Sequence, residues 1–180
     1  MELPSYEDFF LKSLDDTDLS QFQCDDKLEH YFKNDAKDTE IELIAKTYFL
    51  HHKKIKEPLV GFSISNNAIN ANIDLDMGIQ YNARYKAYPA VLIGRFATHD
   101  RYKGTGYGRL VLDLIKNWLI TNNKTGCRFI VVDAREDIAD FYRKSGFEDY
   151  PEESSIPKNK YHYFDLKAYQ EQLFRSLKLV

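Results

Sequence analysis

Residues 95–109, Arg-Phe-Ala-Thr-His-Asp-Arg-Tyr-Lys-Gly-Thr-Gly-Tyr-Gly-Arg, constrain this chain more than any other stretch, because they run an apolar strand into a glycine-rich basic turn and then into a long amphipathic helix. Glycine at 104, 106 and 108 lets the backbone turn tightly and bring several N–H groups to a ligand with no Cβ in the way. The first turn of the following helix adds unpaired donors and the positive end of its dipole. Arg101, Lys103 and Arg109 surround that cradle with positive charge, and an arginine can grip two phosphate oxygens at once. The junction suits a diphosphate.

Two familiar diphosphate loops do not fit. A Walker A loop ends in Gly-Lys-Ser/Thr, whereas Gly108 is followed by Arg109 and Leu110. A dinucleotide fingerprint reads Gly-x-Gly-x-x-Gly close to the opening strand, and here the spacing is Gly-x-Gly-x-Gly after a long preceding segment.

Arg101-x-x-Gly104-x-Gly106 resembles the acetyl-CoA pyrophosphate loop of the GNAT N-acetyltransferase superfamily, R/Q-x-x-G-x-G/A. After the helix, Phe129–Ala134 reads as a buried strand and Ile138–Phe147 as a short helix closed by Gly146. Within it, Phe141-Tyr142-x-x-x-Gly146-Phe147 is similar to the second GNAT signature, in which a tyrosine before the Gly-Phe turn faces the cofactor sulfur. Further upstream, Asp18-Leu-Ser-Gln-Phe-Gln-Cys24, Leu28, Ala36 and Ala45-Lys-Thr-Tyr48 resemble the N-terminal pattern of the GNAT toxins of bacterial toxin–antitoxin pairs, and Ile93-Gly-Arg-Phe-Ala97 resembles their strand into the cofactor loop.

The resemblance implies the GNAT fold over one domain spanning residues 1–180: an α/β (α+β) chain with a mixed central sheet of about six to seven strands and helices on both faces. It implies acetyl-CoA as cosubstrate and no metal. The backbone of Phe96, Ala97 and Thr98 would pair with the pantetheine arm as an added strand. Arg101, Lys103, Gly104, Thr105, Gly106, Tyr107 and Gly108 would surround the diphosphate, and Tyr142 would be the catalytic residue near the thioester sulfur. Thr98 stands where an apolar residue is commoner, and Glu136-Asp137 stand where many relatives place an asparagine beside the cofactor.

In the toxin subfamily the acceptor is the α-amine of aminoacyl-tRNA, and the enzyme usually works as a dimer beside a small antitoxin. The implied partners are therefore charged tRNA, an antitoxin and a second copy of the chain. Elementary acid–base chemistry leans the same way. A lysine amine is neutral in only about one molecule in 2,500 at pH 7, an α-amine in roughly one in seven. No glutamate stands on Pro89–Thr98 to act as a base. His99, reaching through water, is a candidate base, and a solvated turn residue is the alternative. Arg95 points away from Phe96 in an extended strand and is a candidate contact for an acidic acceptor, with an internal ion pair as the alternative. A GNAT acting on a small amine or a protein N-terminus, and a non-catalytic CoA-binding sensor, both stay open here.

Composition narrows the class. A net charge of −3 argues against a strongly basic nucleic-acid binder, yet residues 158–180 carry five cations (Lys158, Lys160, Lys167, Arg175, Lys178) against Asp165 and Glu171. No apolar run approaches the roughly 20 residues of a membrane helix, and the acidic start is unlike a secretory signal, so a cytoplasmic protein is expected. Cys24 and Cys127 are too few for a disulfide framework and read as buried small hydrophobes, and His51 and His52 lack a partner at zinc-ligand spacing.

Along the chain the expected elements are a strand at 8–14, a helix capped by Asp25-Asp26, a short helix at 36–42, and a hairpin of strands 44–51 and 59–65 around a lysine-rich turn. A strand at 89–97 follows, then a helix with Tyr107, Leu110, Val111, Leu114 and Trp118 on its core face, a last strand at 161–166 and a helix at 168–177. Residues 66–88 show no period and read as a binding loop or a short helix.

Overall fold

The computed structural model describes residues 3, 5–70, 85–123, 125–153 and 158–178. Its elements in chain order are β1 (Ser5–Tyr6), β2 (Phe9–Ser13), α1 (Asp26–His30), α2 (Ala36–Ile41), β3 (Lys46–His52), β4 (Ile55–Asn70), β5 (Ala87–Thr98), α3 (Tyr107–Ile120), β6 (Phe129–Arg135), α4 (Ala139–Arg143), β7 (Glu148–Glu153), β8 (Asn159–Asp165) and α5 (Leu166–Lys178). The strands form one mixed sheet in the order β1-β2-β3-β4-β5-β6-β8-β7, flanked by helices. This is the GNAT arrangement. Eight strands rather than six or seven arise because the chain opens with the two-residue β1 paired to β2.

Two compact units divide the chain, one of residues 1–65 and 93–118 and the other of 66–92 and 119–180. In the first, β2, β3 and β4 form an antiparallel meander, with Leu11 opposite Leu50 and Tyr48 opposite Phe62. The turn between β3 and β4 is only Lys53-Lys54, much tighter than 52–57, because both strands keep pairing out to His52 and Ile55. In the second unit β8 pairs antiparallel with both β6 and β7. Residues 66–70 extend β4 and 87–88 open β5; the binding-loop or short-helix reading of 71–84 lies outside the described residues.

Aromatic packing organises the first unit. Phe22, Phe32 and Phe49 are fully buried and meet edge to face at ring distances of 5.4–5.7 Å, with Cys24, Tyr31, Ala36 and Ala97 around them. Such pairs contribute about 0.5–1.5 kcal/mol each beyond the area they bury. Asp25 caps α1 by accepting from the Lys27 N–H, but α1 and α2 are joined by a π-helical turn, Tyr31–Asp35, that periodicity did not reveal. The wider turn lets the adjacent residues Tyr31 and Phe32 both bury.

The core face of α3 is rotated from the expected one. Val111 and Leu114 are buried, but Tyr107, Leu110 and Trp118 are only half-buried, and the innermost ridge is Val111, Leu112, Ile115 and Leu119. Trp118 still packs as a core-edge residue, its ring edge-on to Tyr48 at 5.2 Å. Both cysteines are buried thiols, and burial pushes Cys24 up to about 12.

Two stability predictions follow from this packing. A Cβ at Gly61 would lie 2.6 Å from Phe49 Cε1 and 3.2 Å from Phe32 Cζ, both in fully packed rings. Gly61→Ala should therefore cost about 1–3 kcal/mol in urea unfolding, whereas Gly94→Ala, whose Cβ meets only Ser63 Oγ at 3.6 Å, should cost far less. His51 is buried against Phe10, and burial pulls its pKa from 6.5 to about 4. The unfolded chain thus binds that proton first, and stability should be full above pH 6.5 and fall by about 3 kcal/mol as pH drops towards 4. Unfolding of His51→Phe should lose that part of the pH dependence.

Candidate active site

The β5–α3 junction begins with strand β5, in which Arg95 is exposed, Phe96 half-buried, Ala97 buried and Thr98 half-buried. The strand ends at a buried histidine. The His99 N–H donates to the Leu59 carbonyl at 2.8 Å, its Nδ1 accepts from the Arg101 N–H at 3.2 Å, and its Nε2 lies 2.8 Å from the Gln21 carbonyl. These contacts specify an Nε2–H tautomer with both ring nitrogens engaged. His99 is therefore neither a solvated turn residue nor a free base; it fixes the turn. Phe22 and Tyr102 cover its ring, which explains how a polar side chain is buried without losing hydrogen bonds.

Beyond His99 a short 3₁₀ turn, Asp100–Tyr102, leads into Lys103–Gly106, all exposed. Gly104 and Gly106 hold φ of +79° and +92°, a region that side chains disfavour, and nothing lies within 4 Å of where their Cβ atoms would be. The Leu110 N–H donates to the Gly106 carbonyl at 3.1 Å. The amides of Tyr107, Gly108 and Arg109 precede that bond, and Gly106 at the cap has no side chain to satisfy them. This end of the helix offers amide donors to an anion.

The cations of the junction are arranged unequally. Arg101 Nη1 lies 2.6 Å from Glu57 Oε1, and Lys103 Nζ lies 2.6 Å from Asp100 Oδ1. Arg109 is exposed with no charged partner among the described residues. Arg95 makes no internal ion pair among the described residues: its guanidinium lies 5.0 Å over the Tyr31 ring and donates to the Gly94 carbonyl, leaving the charge exposed. The π-helical turn supplies that ring. The Tyr31 hydroxyl is in turn bonded to Thr39 at 3.2 Å, so the platform is fixed.

Tyr142 belongs to the second unit and lies in α4, with edge-to-face contacts to Phe141 and Phe147 and a stacked contact to His162. Only 4 % of it is exposed, and burial drives the phenol well above its ordinary pKa. The Phe147 N–H donates to the Tyr142 carbonyl at 3.1 Å, closing the Gly-Phe turn onto the tyrosine. Behind it, the fully buried His162 has Nδ1 2.9 Å from Asp149, whose carboxylate Arg143 clasps with two bonds. Burial pulls the His162 pKa down while Asp149 opposes it. Glu136 and Asp137 form a 3₁₀ turn after β6 and pair with Lys160 and Arg135.

His51 contacts Thr17 and His52 Nδ1 accepts from the Lys54 N–H, and among the described residues no cluster of three or more His, Cys, Asp or Glu side chains forms. No helix among them is long and apolar enough to cross a membrane. Glu57, Gln21 and Tyr31 were not found by motif reading. Each meets its partner at the junction from more than 40 residues away in the chain, and no local pattern marks such a pairing.

Comparison with known proteins agrees with this fold. The structure resembles AtaT complexed with acetyl-methionyl-tRNAfMet, with a TM-score of 0.74 and 19 % identity over 92 % of this chain and 99 % of that one. A tyrosine-to-phenylalanine mutant of KacT matches with a TM-score of 0.75 and 17 % identity over the same shares of the two chains. AtaTR bound with AcCoA matches with a TM-score of 0.69 and 19 % identity over 92 % and 98 %. No curated protein sequence matches the chain. The profile of the acetyltransferase (GNAT) family matches residues 13–147, running through both compact units, and the chain belongs to that family.

Proposed function

We propose that this chain is an acetyl-CoA-dependent N-acetyltransferase, a single cytoplasmic domain whose acceptor is the α-amine of aminoacyl-tRNA. The observation that carries the cofactor part is the exposed Lys103–Gly106 turn ending at a helix whose first amides have no cap. Those amides, with Lys103 and Arg109, receive the diphosphate, and the backbone of Phe96, Ala97 and Thr98 receives the pantetheine arm as an added strand. The acceptor part rests on Arg95, an exposed cation stiffened by Tyr31 on the strand that leads into the turn. The solved relatives include toxins bound to acetylated tRNA and to an antitoxin, and an antitoxin and a second copy of this chain are the partners proposed here.

Acetyl-CoA supplies an activated acetyl thioester. A neutral amine adds to its carbonyl carbon, a backbone N–H of β5 stabilises the oxyanion, and collapse expels the CoA thiolate while the new amide loses a proton. That proton ends on sulfur, so amine plus thioester become amide plus thiol. Tyr142 donates a hydrogen bond to the departing sulfur.

Tyr142→Phe should lower kcat on charged tRNA about 100-fold while acetyl-CoA still binds by calorimetry. Arg95→Ala should raise KM for charged tRNA and reduce the slope of log affinity against log salt by about 0.7, the share of one phosphate contact on a single strand. A CoA-release assay with charged tRNA, polyamines and peptides as separate acceptors checks both. Turnover confined to polyamines or peptides would replace the tRNA reading with a small-amine or N-terminal acetyltransferase; binding with no turnover on any of them would leave a CoA-binding module.

A further inference from the structure

We propose that Glu57 is the positioning residue of the cofactor turn, and that Arg101 serves as one of the two struts through which Glu57 holds the turn rather than as a grip on the diphosphate. The inference rests on the reading that Lys103–Gly108 receive the acetyl-CoA diphosphate.

One carboxylate oxygen, Glu57 Oε1, accepts from Arg101 Nη1 at 2.6 Å and from the Tyr102 hydroxyl at 2.8 Å. The Glu57 side chain is only 15 % exposed, so it is a wall of the turn and not a surface charge that drifts onto it. Two residues further along β4, the Leu59 carbonyl accepts the His99 N–H at 2.8 Å. Strand β4 thus holds the entry to the turn at two successive points, one backbone and one side chain. Arg101 is fixed at both ends, its N–H on His99 Nδ1 and its guanidinium on Glu57. Tyr102 is fixed likewise, its hydroxyl on Glu57 and its ring against His99 and Tyr107, the first residue of α3. Glu57 therefore locks both residues that set the direction in which Lys103–Gly106 leave the sheet.

The charges make the same point. The Tyr102 hydroxyl, a backbone N–H and Arg101 hold the Glu57 carboxyl below the usual carboxylate range, so it is charged at neutral pH. Were Arg101 to swing onto a diphosphate, it would leave that anion beside a doubly charged ligand with only a phenol and a backbone N–H to hold it. Kept on Glu57, Arg101 cancels the carboxylate, and the diphosphate meets amide dipoles, Lys103 and Arg109. A guanidinium has donors enough to serve both partners only if its plane faces both, and the Glu57 contact already sets that plane.

The two readings of Arg101 differ in sign, which makes them separable by titrating wild type, Glu57→Gln, Arg101→Gln, the double variant and Tyr102→Phe with acetyl-CoA in a calorimeter, with thermal melting to confirm folding. If Glu57 positions the turn, Glu57→Gln weakens acetyl-CoA about tenfold, Arg101→Gln and Tyr102→Phe each weaken it severalfold, and the double variant is no worse than the poorer single one. With charged tRNA as acceptor, the loss falls on KM for acetyl-CoA more than on kcat. If Arg101 instead grips the diphosphate and Glu57 competes for it, Glu57→Gln binds acetyl-CoA more tightly than wild type, and the inference is overturned. Unchanged binding in folded Glu57→Gln, or losses that simply add in the double variant, overturn it as well. Wild type that binds no acetyl-CoA would instead remove the cofactor reading beneath it.

Discussion

A helix that starts at a glycine cap brings no side chain to its own first amides, so the use of those amides depends on how firmly the preceding turn is held. In this chain the entry to the turn is held by His99, beside the Glu57 contacts to Arg101 and Tyr102. Its backbone is tied to β4, one ring nitrogen to Arg101 and the other to Gln21, while the Asp100 N–H donates to the Gln23 carbonyl at 2.9 Å. An imidazole buried with either nitrogen unpaired would cost roughly 1–3 kcal/mol, which is why the N-terminal segment has to come to it. That segment is placed by Phe22, whose ring fills the pocket between Phe32, Phe49 and His99. The aromatic core and the turn are therefore one mechanical system: loosening Phe22 removes the Gln21 and Gln23 carbonyls from the histidine and from the first residue of the turn.

The same core reaches Arg95, the proposed acceptor contact, through the π-helical turn. A regular helix would carry Tyr31 and Phe32 100° apart, with only one of them fully inward. The widened turn buries Phe32 in the aromatic cluster and still leaves the Tyr31 ring beside Arg95. The backbone irregularity thus links packing to charge placement. Arg95 keeps an exposed cation on a stiff base, at lower entropic cost than a freely rotating side chain would incur on meeting an anion.

What the sequence made legible was local. The strand–turn–helix junction, the Phe141-Tyr142 to Gly146-Phe147 turn, the Asp25 cap and most strands were readable because each is set by a few consecutive residues with distinctive backbone preferences. The core face of α3 was misjudged because apolar residues occur on both sides of the helix, and periodicity alone cannot choose between Leu110 with Trp118 and Ile115 with Leu119. The Glu57, Gln21 and Tyr31 contacts were illegible for a deeper reason: each joins residues that only the tertiary fold brings together. Glu57 reaches Arg101 across 44 residues only because β3 and β4 pair out to a two-residue turn, and the lysine-rich 52–57 segment reads as a loop until that pairing is known.

Tyr142 shows how burial narrows a chemical role. A phenol already has to give up its proton about 1.5 pKa units uphill to protonate a thiolate, a cost near 2 kcal/mol, and taking it out of water makes that step harder. The same burial would strengthen a hydrogen bond from the intact hydroxyl to a thiolate sulfur, since a desolvated donor meets less competition from water. In the proposed reaction a tyrosine held in this way would stabilise the leaving group without accepting a proton from the amine at the start. With both ring nitrogens of His99 engaged in hydrogen bonds, that histidine has no nitrogen left to strip a proton from an ammonium. An acceptor that arrives already neutral relieves that demand: the α-amine of an aminoacyl ester does so in a sizeable fraction of encounters, and a lysine side chain scarcely at all. The proposed acceptor, a weakly basic amine beside phosphate, would ask no general base of the buried phenol and would offer an anion to an exposed cation such as Arg95.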